Sequence, residues 1–450
     1  MNIHFIAIGG SVMHQLAIAL SKKGYHITGS DDEIFEPAAS NLREYGILPD
    51  QFGWFPQKIS ENTDAVILGM HARIDNPELL RARELRIPVY SFPEYIYRES
   101  VNKKRIAIGG SHGKTTITSM VMHVLRENRI DFDYLVGARL EGFNQSVDIT
   151  DAPVIVCEAD EYPASAIEKR PKFHFLFPHI AVLSGIAWDH INVFPTFENY
   201  CEQFRIFINK IENGGTLIYN QTDEILRGIV ESSSRDDINF IPYGVPVHEI
   251  NNGITRLTIN KESSDLKVFG AHNLMNINAA YFVCNQLGIT DAEFVKSIAS
   301  FQGAAKRLEI IYQNDETIVF RDFAHAPSKV KASTHALKAQ FPSKIMVAVL
   351  ELHTFSSLNE TFMKQYHGSL DEADIAIVFY SHHALELKRM PFLDPRKVMD
   401  GFAKENLKVV TKKEDLENIL ENIPASGTNF LFMSSGDYDG LNILASLHLN

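Results

Sequence analysis

The sequence predicts an α/β protein built from three consecutive units, and three observations carry that reading. Short apolar runs alternate with amphipathic helical stretches along the whole chain, the pattern of parallel strands covered by helices on both faces. Glycine-bearing turns join strand to helix at 9–10 and again at 109–113. The 450 residues are also too many for one hydrophobic core; at ~100–200 residues per domain they call for two to four. With 45% hydrophobic and 22% charged residues, the composition is that of a folded chain and excludes a disordered or collagenous one.

The first unit opens with a strand over 3–8, turns at Gly9-Gly10-Ser11, continues as a helix to about 23, and returns as a strand over 26–30 ending in Asp31-Asp32. A strand over 65–69, a helix near 77–85 and a strand over 87–90 complete about a hundred residues, with a boundary in the polar stretch 98–104. The second unit begins with a strand over 105–108, a glycine-rich turn and a helix over 114–127. Strands over 154–157, 180–183 and 216–219 and a helix over 274–287 follow. In the third, strands over 317–320, 344–350, 374–379 and 429–433 alternate with helices and end in a helix over 441–449.

Charge narrows the function classes. Lys plus Arg number 43 against 56 Asp plus Glu, a net charge of −13, so no nucleic-acid or anionic-membrane partner bound by general attraction is expected. A phosphate ligand must be held locally. Cys157, Cys201 and Cys284 are the only cysteines, too few and too far apart for a disulfide framework, and a cytoplasmic location is expected. The apolar stretch 3–20 lacks a basic start and is interrupted by His4, His14 and Gln15, so neither export nor membrane insertion is expected.

The most informative stretch is Gly109-Gly110-Ser111-His112-Gly113-Lys114-Thr115-Thr116, directly after a strand and opening a helix. A phosphate chain needs backbone N–H groups at a helix N-terminus, a lysine for the outer phosphates and a hydroxyl for Mg²⁺, and this order supplies all three. Ile108 stands where the usual pattern has its first glycine, and a tight turn with an incidental lysine is the competing reading. Metal binding also needs a carboxylate from a neighbouring strand, and the strand over 154–157 runs into Glu158-Ala159-Asp160-Glu161, with Glu158 the candidate ligand. His190 follows the strand over 180–183, at the strand end where α/β ligands collect. The N-terminal Gly9-Gly10-Ser11 loop, with Asp31 about twenty residues on, fits a nucleotide pocket and a plain tight turn equally.

Together these motifs resemble the Mur ligase family, the ATP-dependent amide ligases of peptidoglycan metabolism. The resemblance spans the chain. The family's shortened phosphate loop is matched by Gly110-Ser111-His112-Gly113-Lys114-Thr115, its acidic strand end by Glu158-Ala159-Asp160-Glu161 and its metal pair by Asp189-His190. Its adenine-side motif is matched by Gly270-Ala271-His272-Asn273 with Asn276, and two further segments by Lys306-Arg307-Leu308-Glu309 and Asp322-Phe323-Ala324-His325-Ala326-Pro327. Gly185, Arg321, Ala326 and His353-Thr354 depart from the pattern, as does 434–440.

The resemblance implies a Rossmann-like UDP-sugar domain over 1–102, a central P-loop ATPase-like domain over 103–310 and a Rossmann-like C-terminal ligase domain over 311–450. ATP would be held by Gly110, Ser111, His112, Gly113, Lys114, Thr115 and Thr116, with His272, Asn273 and Asn276 at the adenine and Asp322 at the ribose. Lys114, Glu158, His190, Arg307 and His325 would be catalytic, with Mg²⁺ on Thr115 and Glu158 and a second ion at His190. Gly9, Gly10, Ser11 and Asp31 would bind UDP-N-acetylmuramate. The stretches 158–162 and 168–173 resemble the branch that uses the tripeptide L-Ala-γ-D-Glu-meso-diaminopimelate as amine, so a recycling ligase is expected. Alternatives are L-alanine as the amine, a folylpolyglutamate-type ligase and a catalytically silent nucleotide-binding regulator.

Overall fold

The computed structural model describes residues 1–137, 140, 142–143, 145–165, 167–188, 193–303 and 308–449. It divides into two compact units, Met1–Gly244 with Met275–Ile298, and Val245–Leu274 with Ala299–Asn450.

The first unit carries two sheets. Strands β1 (Asn2–Ile6), β2 (His26–Ser30), β3 (Ala65–Leu68) and β4 (Val89–Ser91) pair in parallel in the order β2-β1-β3-β4. All four residues of β3 are buried apolar groups, the signature of a strand covered on both faces. The second sheet holds β5 (Lys104–Gly109), β6 (Phe132–Leu135), β7 (Val147–Asp148), β8 (Val154–Glu158), β9 (Ile180–Leu183), β10 (Thr216–Asn220) and β11 (Asn239–Tyr243). Their order is β11-β10-β9-β5-β8-β6-β7, parallel except for β7 against β6. One core serves both sheets, from Phe5 and Leu16 to Phe173 and Phe204. Because β5 lies between β8 and β9, the segments leaving those three strands emerge side by side, where strand order reverses and ligands gather.

In the second unit, β12 (His248–Asn251), β13 (Ile254–Ile259) and β14 (Glu262–Leu266) form an antiparallel sheet. A six-stranded sheet contains β15 (Glu309–Gln313), β16 (Ile318–Asp322), β17 (Ile345–Glu351), β18 (Ile375–Phe379), β19 (Lys408–Val410) and β20 (Thr428–Met433), in the order β15-β16-β20-β17-β18-β19. Only β15 runs antiparallel among these strands. Here the carboxyl ends of β16, β20 and β17 are adjacent.

The expected helix over 114–127 is the observed Lys114–Glu127. The expected closing helix over 441–449 is cut to Ile443–Ser446, started by the Asn442 side chain, which accepts from the Ala445 N–H. Among the described residues no helix is long and apolar enough to cross a membrane.

Candidate active site

Strand β5 ends in a loop that two glycines make passable. Gly110 (φ 118°) and Gly113 (φ 80°) adopt left-handed backbone, and an added Cβ on Gly113 would lie 2.6 Å from Asn276 Oδ1. Asn276, expected at the adenine, is therefore placed against the phosphate loop itself. Gly113 precedes the helix Lys114–Glu127, whose first turn has no side-chain cap and no acidic residue, leaving N–H groups for an anion. The loop is tied to its neighbours: Ser111 N–H donates to Gly185 O at 3.0 Å, Ser184 N–H to Gly109 O at 3.0 Å, and the Ser184 hydroxyl to His112 O.

Lys114 Nζ donates to Gly110 O and to Glu161 Oε2, both at 2.8 Å. Burial would lower its pKa, but Glu161, with Asp160 and Glu158 nearby, more than offsets this and the net shift is upward. Glu161 is buried and its Oε1 accepts the Tyr200 hydroxyl at 3.1 Å; Tyr200 also meets Ser111 Oγ at 3.0 Å, and Ser111 Oγ accepts Ala187 N–H at 2.8 Å. Beside this chain, the Thr115 hydroxyl donates to Glu158 Oε1 at 2.9 Å while Glu158 Oε2 accepts Gly137 N–H at 2.9 Å. Lys114, Thr115 and Glu158 thus come together as expected. Glu161, Ser184 and Tyr200 are additions. Glu161 stood in the quoted acidic run, whereas nothing in the local sequence marks Tyr200, on the helix Phe197–Asn209.

The N-terminal loop is braced differently from expectation. Asp31 is buried, its Oδ2 accepts Gly9 N–H at 2.7 Å and its Oδ1 accepts Asp32 N–H at 3.0 Å, so the carboxylate stabilises the loop from inside. Burial is the main cause that pushes its pKa up to about 6, opposed by the Gly9 N–H. Ala7 adopts φ 65°, the left-handed conformation for which a glycine is the usual choice. Gly10 is half-buried and Ser11 exposed.

In the second unit Asn273 is buried and its side-chain N–H donates to Phe269 O at 2.9 Å, three residues past Gly270 (φ 89°); His272 is half-buried. Asp322 ends β16, buried, accepting the Ser333 hydroxyl. His325 Nδ1 lies 2.8 Å from Phe323 O, and its own carbonyl accepts the Tyr366 hydroxyl. His190 and Arg307, expected to be catalytic, lie outside the described residues, as do Asp189 and Lys306.

Two departures have local reasons. Gly185 (φ 143°) has no room for a side chain: an added Cβ would lie 2.9 Å from Asp223 Oδ2, which accepts Ile186 N–H at 2.8 Å. Arg321 pairs across the β15–β16 ladder with Glu309, NH2 to Oε2 at 2.9 Å.

A UDP-N-acetylmuramate–L-alanine ligase of Sulfurihydrogenibium sp. (strain YO3AOP1) is 30% identical over 460 residues, covering 100% of this chain and 98% of that one. The chain belongs to the Mur ligase family. The model of the Mur ligase family, catalytic domain, matches residues 2–98, and that of the Mur ligase middle domain residues 108–284. Among solved structures, the UDP-N-acetylmuramate-alanine ligase of Thermotoga maritima is similar at TM-score 0.65 and 22% identity, covering 100% and 97% of the two chains. A murein peptide ligase of Psychrobacter arcticus is similar at TM-score 0.61 and 20% identity, covering 99% and 98%. Both share the three-domain α/β fold of Mur ligases with this chain. The protein is an ATP-dependent ligase that forms C–N bonds.

The expectation of a tripeptide amine is not confirmed: the sequence relative named above is an L-alanine ligase, while the two solved structures are one ligase of each kind. The stretches that suggested the tripeptide are internal braces. Glu161 holds Lys114, Lys172 Nζ donates to Asp160 Oδ2 at 2.9 Å, and Arg170 pairs with Glu168 at 2.7 Å. Glu161 and Asp160 thus support the phosphate loop of this Mur ligase and its surroundings.

Proposed function

We infer that the protein joins the carboxylate of UDP-N-acetylmuramate to the amine of L-alanine, with ATP converted to ADP and phosphate. The observation that carries the reading is the anchored Lys114 beside the Thr115–Glu158 pair at an uncapped helix N-terminus. L-alanine is chosen because the whole-length relative at 30% identity bears that name.

The residues support each stage of such a reaction. Lys114 and the N–H groups after Gly113 stabilise charge on the transferring γ-phosphoryl group as the substrate carboxylate attacks it, giving an acyl phosphate. Lys114 is held in place by Gly110 O and Glu161, so little reorganisation is needed when the phosphate arrives. Thr115 and Glu158 are hard oxygen ligands already 2.9 Å apart, a donor set that fits Mg²⁺, an ion that keeps waters and phosphate oxygens in its remaining positions. Bound there, Mg²⁺ supplies charge neutralisation along the phosphates. Gly9, Gly10 and Ser11, on a loop held by Asp31, serve the diphosphate of the sugar nucleotide. His272, Asn273, Asn276 and Asp322 serve the nucleoside of ATP, and His325 and Arg307 its phosphate end.

Phosphate release with UDP-N-acetylmuramate and Mg-ATP, offered L-alanine, the tripeptide or no amine, tests the reading. L-alanine is expected to support turnover, and Lys114→Ala to abolish it without loss of the folded state. Turnover with the tripeptide alone would restore the recycling reading. No turnover with either amine would favour a silent nucleotide-binding protein.

A further inference from the structure

Beyond the end of β9 the seven-stranded sheet loses its ladder. β9 pairs with β5 and β10 only as far as Leu183, opposite Gly109 and Tyr219, so the backbone groups of residues 184–187 need other partners. Two side chains from the end of β10 supply them. Asn220 is buried and its Nδ2 donates to Ser184 O at 3.2 Å, while Asp223 Oδ2 accepts Ile186 N–H at 2.8 Å.

Both side chains are themselves fixed. The Asn220 Oδ1 accepts the N–H and the hydroxyl of Thr222, at 3.0 and 2.8 Å, which turns Nδ2 toward Ser184. Asp223 is pinned by its other oxygen, which accepts Leu226 N–H at 2.9 Å and starts the helix Glu224–Glu231. Gly185 lies against this carboxylate with no space for a Cβ, as described above. The same segment is bonded on its other side to the phosphate loop. Gly185 O accepts Ser111 N–H at 3.0 Å, Ala187 N–H donates to Ser111 Oγ at 2.8 Å, and the Ser184 hydroxyl donates to His112 O. Residues 184–187 therefore stand between the end of β10 and the phosphate loop, tied to both.

We propose that Asn220 and Asp223 are positioning residues for phosphoryl transfer: they fix the segment 184–187, and through it hold Ser111 and His112 in the shape that receives the phosphates of ATP. This rests on the reading of that loop as the ATP site. The N–H groups of the loop and Lys114 are effective only when already aimed at the charge that develops, and a misplacement of about 1 Å is costly. The carboxylate of Asp223 suits the task because both its oxygens accept, one from a helix start and one from the segment, so it acts as a strut between them. An amide in its place would accept one of these N–H groups and oppose the other.

Two substitutions separate this role from the fold. Asp223→Ser keeps a hydroxyl that caps the helix Glu224–Glu231 but is too short to reach Ile186 N–H as well. Asn220→Asp keeps the acceptor for Thr222 and sets an oxygen where Ser184 O needs a donor. Both variants are expected to melt within about 4 °C of wild type. Calorimetry is expected to show Mg-ADP bound about tenfold more weakly, and kcat for phosphate release at saturating ATP and L-alanine to fall about tenfold. Because both residues act through one segment, the double variant is expected to stay within about twofold of the weaker single variant. Unchanged Mg-ADP affinity and kcat in the folded variants, with only a lower Tm, would overturn the proposal in favour of a purely structural role. Losses that multiply in the double variant would overturn the shared path through 184–187. Mg-ADP binding involves no ligation, so wild-type protein that binds it, loses affinity in both variants and joins no amine would remove the proposed function and leave this inference standing.

Discussion

Tyr200 adds a second tie between the phosphate loop, at Ser111, and Glu161 behind Lys114, through contacts of 3.0 and 3.1 Å. Tyr200→Phe keeps the ring in its apolar setting and deletes only the hydroxyl, so a cost of about 1 kcal/mol in stability is expected, with a several-fold rise in KM for ATP. Paired melting curves and ATP saturation curves check it; an unchanged KM would mean that the tyrosine does not support the loop. Asp31 makes a second prediction. Its folded pKa of about 6 stands above the ordinary 3.8, so the folded state binds the extra proton between those values and stability from this group falls as pH rises through that window. Relative to Asp31→Asn, the wild-type Tm should therefore decline between pH 4.5 and pH 7; a constant difference would show that Asp31 ionises normally. Lys114, Thr115 and Glu158 were legible in the sequence because their roles follow from local spacing after a strand. Tyr200 was not, since it meets Glu161 across 39 positions, a pairing set by packing alone.

The helix Phe197–Asn209 shows how an element carries such a residue into place. Thr196 accepts Asn199 N–H at its start, and Tyr200, Phe204 and Phe207 recur at helical spacing on its buried face. Phe204 stands edge-on to both Phe173 and Tyr200, with centroids 5.6 and 5.2 Å away. Phe204→Ala is expected to cost about 3–5 kcal/mol and to weaken ATP use through Tyr200; a loss under about 1 kcal/mol in denaturant titrations would contradict this packing. Parallel strands such as β3 and β9 were legible because both faces are buried and the sequence turns continuously apolar. Strands β12–β14 went unread. Only β13 alternates exposed and buried positions, β12 and β14 are short, mostly polar and exposed, and such antiparallel pieces take their register from partners.

At the scale of the whole molecule, the net charge of −13 coexists with ATP and with the proposed sugar nucleotide, both polyanions. Local devices reconcile them: a helix N-terminus behind a glycine turn, Lys114, and an oxygen pair suited to Mg²⁺. The family was readable because six motifs fall in order, whereas the amine was not. Contacts such as those of Ser434 and Tyr438 with Glu351 form only when β17 and β20 lie side by side. The central claim is that this site activates a carboxylate as an acyl phosphate and passes it to L-alanine. It is tested most directly with UDP-N-acetylmuramate carrying ¹⁸O in its carboxylate, Mg-ATP and L-alanine, by mass analysis of the released phosphate. One ¹⁸O atom transferred to each phosphate, matched by an equal amount of amide, is the expected result, and unlabelled phosphate would contradict it.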